Sequence, residues 1–296
     1  MTEHTAMSTP ADDPWLMLTP AGVLHAYAER VPDERAAMLQ ALMPRGASLR
    51  RSAWLAQASE HRTLLARALH EEIKKLTDQP VRYVVLENGQ GHAAMGSAYW
   101  KEQGATIIAH ADTLTELKAR GEAIAQRVLR RSRDKGMGTR LVLPDETFED
   151  KRVIEMGNRR IELLHLGPAH SPGDISVWLP QQKVVIAGDI AFHQRMLPVF
   201  EHTDTAAWIR TWDSFAALGA QIVVPGHGVP TDMAEVTRYT RDYLAYMRAQ
   251  IGVLIENGGG LEDVSSIDQS AYSHLDTYDE LAKLNASLIF RAMEFE

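Results

Sequence analysis

Three short apolar runs in this chain, each β-branched enough to form a buried strand, end in a histidine or an aspartate framed by glycine. RIELLHLG leads into PAHSPGD, which puts His170 in a loop that Pro172 and Gly173 force to turn. KVVIAGD places Asp189 just past a strand, where Gly188 can pack closely or take a backbone conformation that other residues resist. QIVVPGHG does the same for His227, between Gly226 and Gly228. Such a chain must bury its runs in a sheet. The carboxyl ends of strands in α/β sheets are where ligands gather, because rigid strands hold loop residues in fixed geometry.

The surrounding pattern has the same texture. VRYVVLE and ATIIAH read as strands on either side of a helix over 94–103, a β-α-β unit that favours parallel pairing. A long helix is predicted over 113–135. Four strand-like pieces follow, RVIEMG, RIELLHLG, DISVWLP and QKVVIAGD, with hairpin breaks at Gly157-Asn158 and at 180–182. A helix over 205–218 precedes the last strand, AQIVVPGHG, and the remainder is mostly helical with a break at NGGG. Upstream, helices are predicted over 32–42 and over 59–76, the latter from Leu64, Leu65, Leu69, Ile73 and Leu76 at helical spacing. With no internal repeat and no linker, one domain over 1–296 is expected: a poorly ordered lead at 1–20, a helical part at 20–77, a core at 78–250 and a helical extension at 251–296.

The absence of cysteine among the 296 residues excludes disulfides, thiolate metal ligands and a cysteine nucleophile together. Any metal must therefore use histidine, carboxylate and water. Two imidazoles and a carboxylate that converge suit Zn²⁺, Fe²⁺ or Mn²⁺, and can leave a position open for a water made nucleophilic near neutral pH. Each fragment alone also reads as an ordinary turn. Their order, each anchored to an apolar strand, argues for a site. The formal charge of −8 argues against nucleic-acid and anionic-membrane partners, and the basic run RVLRRSRDK reads as a solvated helix end. No apolar run approaches the roughly 18 residues of a spanning helix, and the first residues lack the basic-then-apolar order of a secretory signal. A cytoplasmic location and a small-molecule substrate are the expectation, with a homo-oligomer allowed.

HSPGD, IAGD and VPGHG, in this order, resemble the turn histidine, bridging aspartate and last histidine of the metallo-β-lactamase superfamily, over roughly residues 78–250. The resemblance implies an α/β fold, a four-layer αββα sandwich with its site at one edge, here with extra helices at both ends. It also implies hydrolysis of an ester, thioester or amide.

Where that family keeps a His-x-His-x-Asp-His loop, this chain has ENGQGHAAMG. Aligned without gaps to Gly96, Asn88 and Gln90 replace the two leading histidines, His92 stands at the aspartate and Ala93 at the last histidine. With the loop one residue shorter, His92 replaces the final histidine and Gly91 the aspartate. The second register keeps an imidazole where one is expected and is preferred. Carboxamides are weak ligands beside imidazole, so the usual dinuclear site is broken. What the resemblance leaves is a single-ion site of His92, His170, Asp189 and His227, with Asp189 orienting the metal-bound water. The alternative is a degenerate site with no ion. A second departure is RGASLRRSAWLAQASEHRTLLARAL, which lacks the family's strand-turn signature before the first helix.

Other polar residues have weaker cases. His110 either supports the site or caps the helix that follows. Asp174 either orients His170 or caps its turn. His193 and His202 flank QRMLPVFEHTDT, where superfamily members often place substrate-contacting loops, and His165 reads as a sheet residue. Trp208, Trp212, Tyr239, Tyr243 and Tyr246 read as core or interface. Two functions follow: a metal-dependent hydrolase with an atypical single Zn or Fe ion (Mn also suited), or a non-catalytic descendant kept as a binding or assembly module. An iron-dependent oxidative role ranks third.

Overall fold

The computed structural model describes residues 16–19, 22–23, 62–75, 78–132, 136–157 and 159–296. Two five-stranded sheets face each other. The first contains β1 (Leu16–Thr19), β2 (Gly22–Val23), β3 (Val81–Val85), β4 (Thr106–His110) and β5 (Glu146–Phe148), in the order β2-β1-β3-β4-β5. The second contains β6 (Lys151–Met156), β7 (Arg159–Leu164), β8 (Ser176–Leu179), β9 (Val184–Phe192) and β10 (Ile222–His227), in the order β10-β9-β8-β7-β6. β3, β4 and β5 run parallel, as the β-α-β pattern requires. β6 to β9 form antiparallel hairpins, and β10 joins β9 in parallel.

Between the sheets lies an aliphatic layer that includes Val85, Ile108, Ile154, Ile161, Val177, Ile186 and Val224. Each such side chain contributes about 1.5–3 kcal/mol when fully buried. Helices cover the outer faces. Over the first sheet are α1 (Arg62–Lys74), α2 (Gly91–Ala94), α3 (Ser97–Glu102) and α4 (Ala111–Ser132), with Ile73, Met95, Trp100 and Leu117 packed on Val84 and Ile107. Over the second are α5 (Thr205–Ala216), α6 (Met233–Tyr239), α7 (Arg241–Glu256) and α8 (Tyr278–Met293), which bury Trp208, Phe215, Tyr243 and Ile289. The architecture is the expected four-layer αββα sandwich. β9 is covered on both faces, so it reads as a continuous apolar run rather than an alternating one.

Trp208, Trp212 and Tyr243 are core residues, and the Trp208 indole donates to the Ile190 carbonyl at 3.1 Å. Arg130 and Arg131 sit in the last turn of α4, where cations complement the helix dipole. Several expectations need correction. Leu16–Thr19, assigned to an irregular lead, is a strand that pairs in parallel with β3; four residues carry too little periodicity to declare themselves, and the edge of β3 supplies the missing partner. The helix around 94–103 is two short helices, with Met95 and Gly96 between them. The helix predicted over 32–42 lies outside the described residues, as does most of the segment lacking a strand-turn signature. No helix among the described residues is long and apolar enough to cross a membrane.

Candidate metal centre

The site forms where β3, β9 and β10 deliver their polar residues to one edge of the sandwich. β9 does not stop before Asp189 but runs through it, because Gly188 adopts φ +62° and the β9–β10 register shifts beside it. A side chain at Gly188 would also place its Cβ 2.4 Å from Glu87 Oε2, so only glycine lets the two carboxylates approach. At Gly226, a Cβ would lie 2.5 Å from Asp189 Oδ1. His227 is the last residue of β10, and His92 lies in the single turn of α2 after β3.

His92, Asp189 and His227 offer ligand atoms that all lie within 4.8 Å of one another. His92 Nε2 is 2.9 Å from Asp189 Oδ2, and His227 Nε2 is 3.4 Å from Asp189 Oδ1. His170 Nδ1 lies 3.4 Å from Asp189 Oδ2. His170, expected as a fourth ligand, stands apart from that trio: its Nδ1 is hydrogen-bonded to Gln90 Nε2 at 3.0 Å, and its ring is enclosed by Phe192, Phe200 and Trp208. Asn88 donates to Asp174 Oδ1 at 3.0 Å and to Asp189 Oδ2 at 3.2 Å. Asn88, His92 and His170 therefore gather on Asp189 Oδ2, with Gln90 bonded to His170, while His227 faces Oδ1.

Burial works against charge throughout this centre, and the outcome differs from group to group. Asp189 is 1% exposed, yet the surrounding imidazoles, His92 foremost, outweigh burial and hold its carboxyl well below the usual range. Burial lowers His170 to about 4 and His227 to about 3, leaving both neutral and able to offer a lone pair near neutral pH. For His92 burial opposes the cation, but Asp189 and Glu87 overcome it and raise the pKa to about 10. Of the three imidazoles around Asp189, His92 is therefore the one that most favours a proton.

Glu87 was not singled out in the sequence. It is buried at the end of β3 with Oε1 3.4 Å from His92 Nε2, and burial together with Asp189 raises its pKa. Its only signal was an acid directly after an apolar strand. Arg195 was missed as well; its Nη1 lies 3.1 Å from His227 Nδ1, and nothing in AFHQRM marks it.

The remaining candidates have other partners. Asp174 accepts from the Ser171 backbone and from Asn88, so it caps the His170 turn rather than binding the imidazole. His110 accepts from the Asp112 backbone at the start of α4 and stacks on His165, which itself lies one residue past β7. His193 Nδ1 contacts the Val229 carbonyl and braces the His227 loop from behind. His202 stacks on Phe200, whose ring covers His170.

Among the described residues, His92 Nε2, Asp189 Oδ1 and Glu87 Oε2 are buried without a hydrogen-bond partner. Orphaned polar atoms of this kind are costly unless something else satisfies them. Two imidazoles and a carboxylate, in a cradle kept open by Gly226, fit a divalent ion of the zinc or iron type once His92 gives up its proton and His227 presents Nε2 unprotonated.

The stereoselective inverting sec-alkylsulfatase Pisa1 from Pseudomonas sp. superposes on 78% of this chain with a TM-score of 0.61 at 19% identity, over 44% of its own length. The metallo-β-lactamase from Pontibacter korlensis superposes on 61% with a TM-score of 0.51 at 20% identity, over 77% of its own length. This is the metallo-β-lactamase fold. The metallo-beta-lactamase superfamily model matches residues 92–227, a span that begins and ends on the two histidines facing Asp189. A linear primary-alkylsulfatase from Pseudomonas sp. (strain ATCC 19151) is 29% identical over 120 residues, 37% of this chain. The type 2 metallo-beta-lactamase of Bacteroides fragilis is 28% identical over 92 residues, 30% of this chain. The matches span 22% and 37% of those two relatives.

Proposed function

We propose that the protein is a metal-dependent hydrolase of the metallo-β-lactamase fold, with a single divalent ion held by His92, Asp189 and His227. The observation that carries this reading is the convergence of those three side chains within 4.8 Å, with buried atoms left unpartnered. A bound ion of this kind supplies Lewis acidity and lowers the pKa of water. The chain's own residues supply the frame. Asp189 faces the imidazoles, Glu87 meets His92 at the same nitrogen, Nε2, and His227 stays neutral through burial. Phe200 lies over His170, with His202 stacked on it, and its half-exposed ring suits the apolar part of a small-molecule substrate.

An ester is the substrate class best supported. Sulfate esters of alkyl alcohols come first, since a sequence relative and a structural neighbour are both alkylsulfatases. The guanidinium of Arg195 beside His227 suits an anionic head group.

One observation favours a second reading, a non-catalytic binding module. Asn88 and Gln90 are not idle substitutes but are hydrogen-bonded into Asp174, Asp189 and His170, which closes that half of the centre. Metal analysis of protein purified without added metal, followed by assay on alkyl sulfates and carboxylic esters, separates the two. About one ion per chain, lost in His227→Ala together with hydrolysis, supports the hydrolase; no ion and no turnover in a folded protein supports the binding module.

A further inference from the structure

We infer that Arg195 is a latch on the metal centre, holding His227 in the tautomer that cannot bind a cation and weakening metal affinity until the guanidinium is drawn away. The inference rests on the proposed His92–Asp189–His227 centre and concerns a residue outside that set.

A neutral imidazole carries one N–H and one lone pair, and a guanidinium has only donors and stays charged. Arg195 Nη1 lies 3.1 Å from His227 Nδ1. That contact is attractive only when Nδ1 offers its lone pair, which places the proton on Nε2. Nε2 is the atom that faces Asp189 Oδ1, at 3.4 Å. In this state the nitrogen aimed into the centre points a proton at it. Coordination through Nε2 requires that proton to move to Nδ1, where it would meet a guanidinium N–H, donor against donor. The ion and Arg195 therefore compete for the same imidazole.

The latch has somewhere to go. Arg195 is part-buried, and its Nε is buried without a hydrogen-bond partner among the described residues. Its charge is stabilised by Asp189 foremost, and also by the carboxylates of Asp276 and Glu280, which lie outside the ligand trio. Backbone bonds tie its strand segment to Asp276, with Met196 N donating to the Asp276 carbonyl at 3.0 Å and Asp276 N to the Gln194 carbonyl at 3.0 Å. An anionic substrate group offers a further partner. Arg195 is thus a positioning residue that acts through His227.

The test measures Zn²⁺ affinity of the chelator-stripped full chain by competition with a chromophoric chelator, for wild type, Arg195→Met, Arg195→Lys and His227→Ala. Removing one charge-assisted hydrogen bond from His227 makes Arg195→Met bind Zn²⁺ roughly 10- to 100-fold more tightly. Arg195→Lys, still a donor, falls between. A merely structural arginine would weaken binding or leave it unchanged when replaced, and one acting through its charge alone would tighten binding with the His227 tautomer unmoved in nitrogen-15 NMR of Arg195→Met; any of these results overturns the latch. Binding in neither wild type nor Arg195→Met overturns the underlying centre instead, as does binding that survives His227→Ala. Should Arg195→Met fail to fold, nitrogen-15 NMR of His227 in metal-free wild type decides: Nε2–H is expected, and Nδ1–H refutes the inference.

Discussion

Raising the pH of the metal-free protein should unlock its centre. His92 has a pKa of about 10 in the folded chain, against about 6.5 for an ordinary histidine. A raised pKa means that the folded state holds the proton more tightly. The stabilisation is therefore fully present below pH 6.5 and disappears as the pH climbs through 10. Linkage gives about 4 kcal/mol at pH 7 and about 1 kcal/mol at pH 9.5, so about 3 kcal/mol is lost between them. Glu87 is also raised, by burial and by Asp189, so the two groups titrate together and the change belongs to the pair. Urea unfolding of chelator-treated protein at the two pH values reads the loss directly. In His92→Gln the loss should shrink to what the rest of the chain contributes. With Zn²⁺ bound it should vanish, because the ion takes the place of the proton. A wild-type stability that is flat between pH 7 and 9.5, or a loss equal in His92→Gln, would refute the assignment of a protonated imidazole between Glu87 and Asp189.

Two further substitutions probe the frame around the centre. Gly226→Ala puts a Cβ 2.5 Å from Asp189 Oδ1 and 2.7 Å from the Gly188 carbonyl carbon, so it should cost about 1–3 kcal/mol of stability and abolish Zn²⁺ uptake; unimpaired uptake by titration would show that the cradle does not depend on that approach. Asn285 in α8 is fully buried, accepts from Val199 N at 2.9 Å, and donates to the Leu197 carbonyl at 2.8 Å and to Tyr243 Oη at 3.1 Å. It pins the segment that carries Arg195 and Phe200. Asn285→Ala orphans at least two buried backbone groups and should cost about 2–5 kcal/mol in chemical denaturation, with a change under about 0.5 kcal/mol ruling out that clamp.

Most of the order of strands and helices from residue 81 to residue 256 was legible because the buried strands are apolar and the helices between them amphipathic; β5 (Glu146–Phe148), three residues long, and the break between α6 and α7 at Thr240 were not. Glycine beside Asp189 and His227 marked the places where backbones approach closely. The strand at Leu16–Thr19 was not legible: four residues have no period of their own, and the open edge of β3 decides their conformation. Asp174 and His110 had two readings each, and only the distances to Ser171 and Asp112 chose the capping role for both.

By itself, then, the amino-acid order determined the layered α/β architecture, the lack of any thiolate chemistry, and the strands on which Asp189 and His227 stand. Which imidazole faces which oxygen was decided by tertiary structure alone. The turn of α2 points His92 at Asp189, the carboxamides hold His170 aside, and Glu87 and Arg195 reach the site from elements far apart in the chain. Those relations depend on angstrom-scale packing between sheets, and no local pattern of residues encodes a distance between strands whose partners lie a hundred positions away.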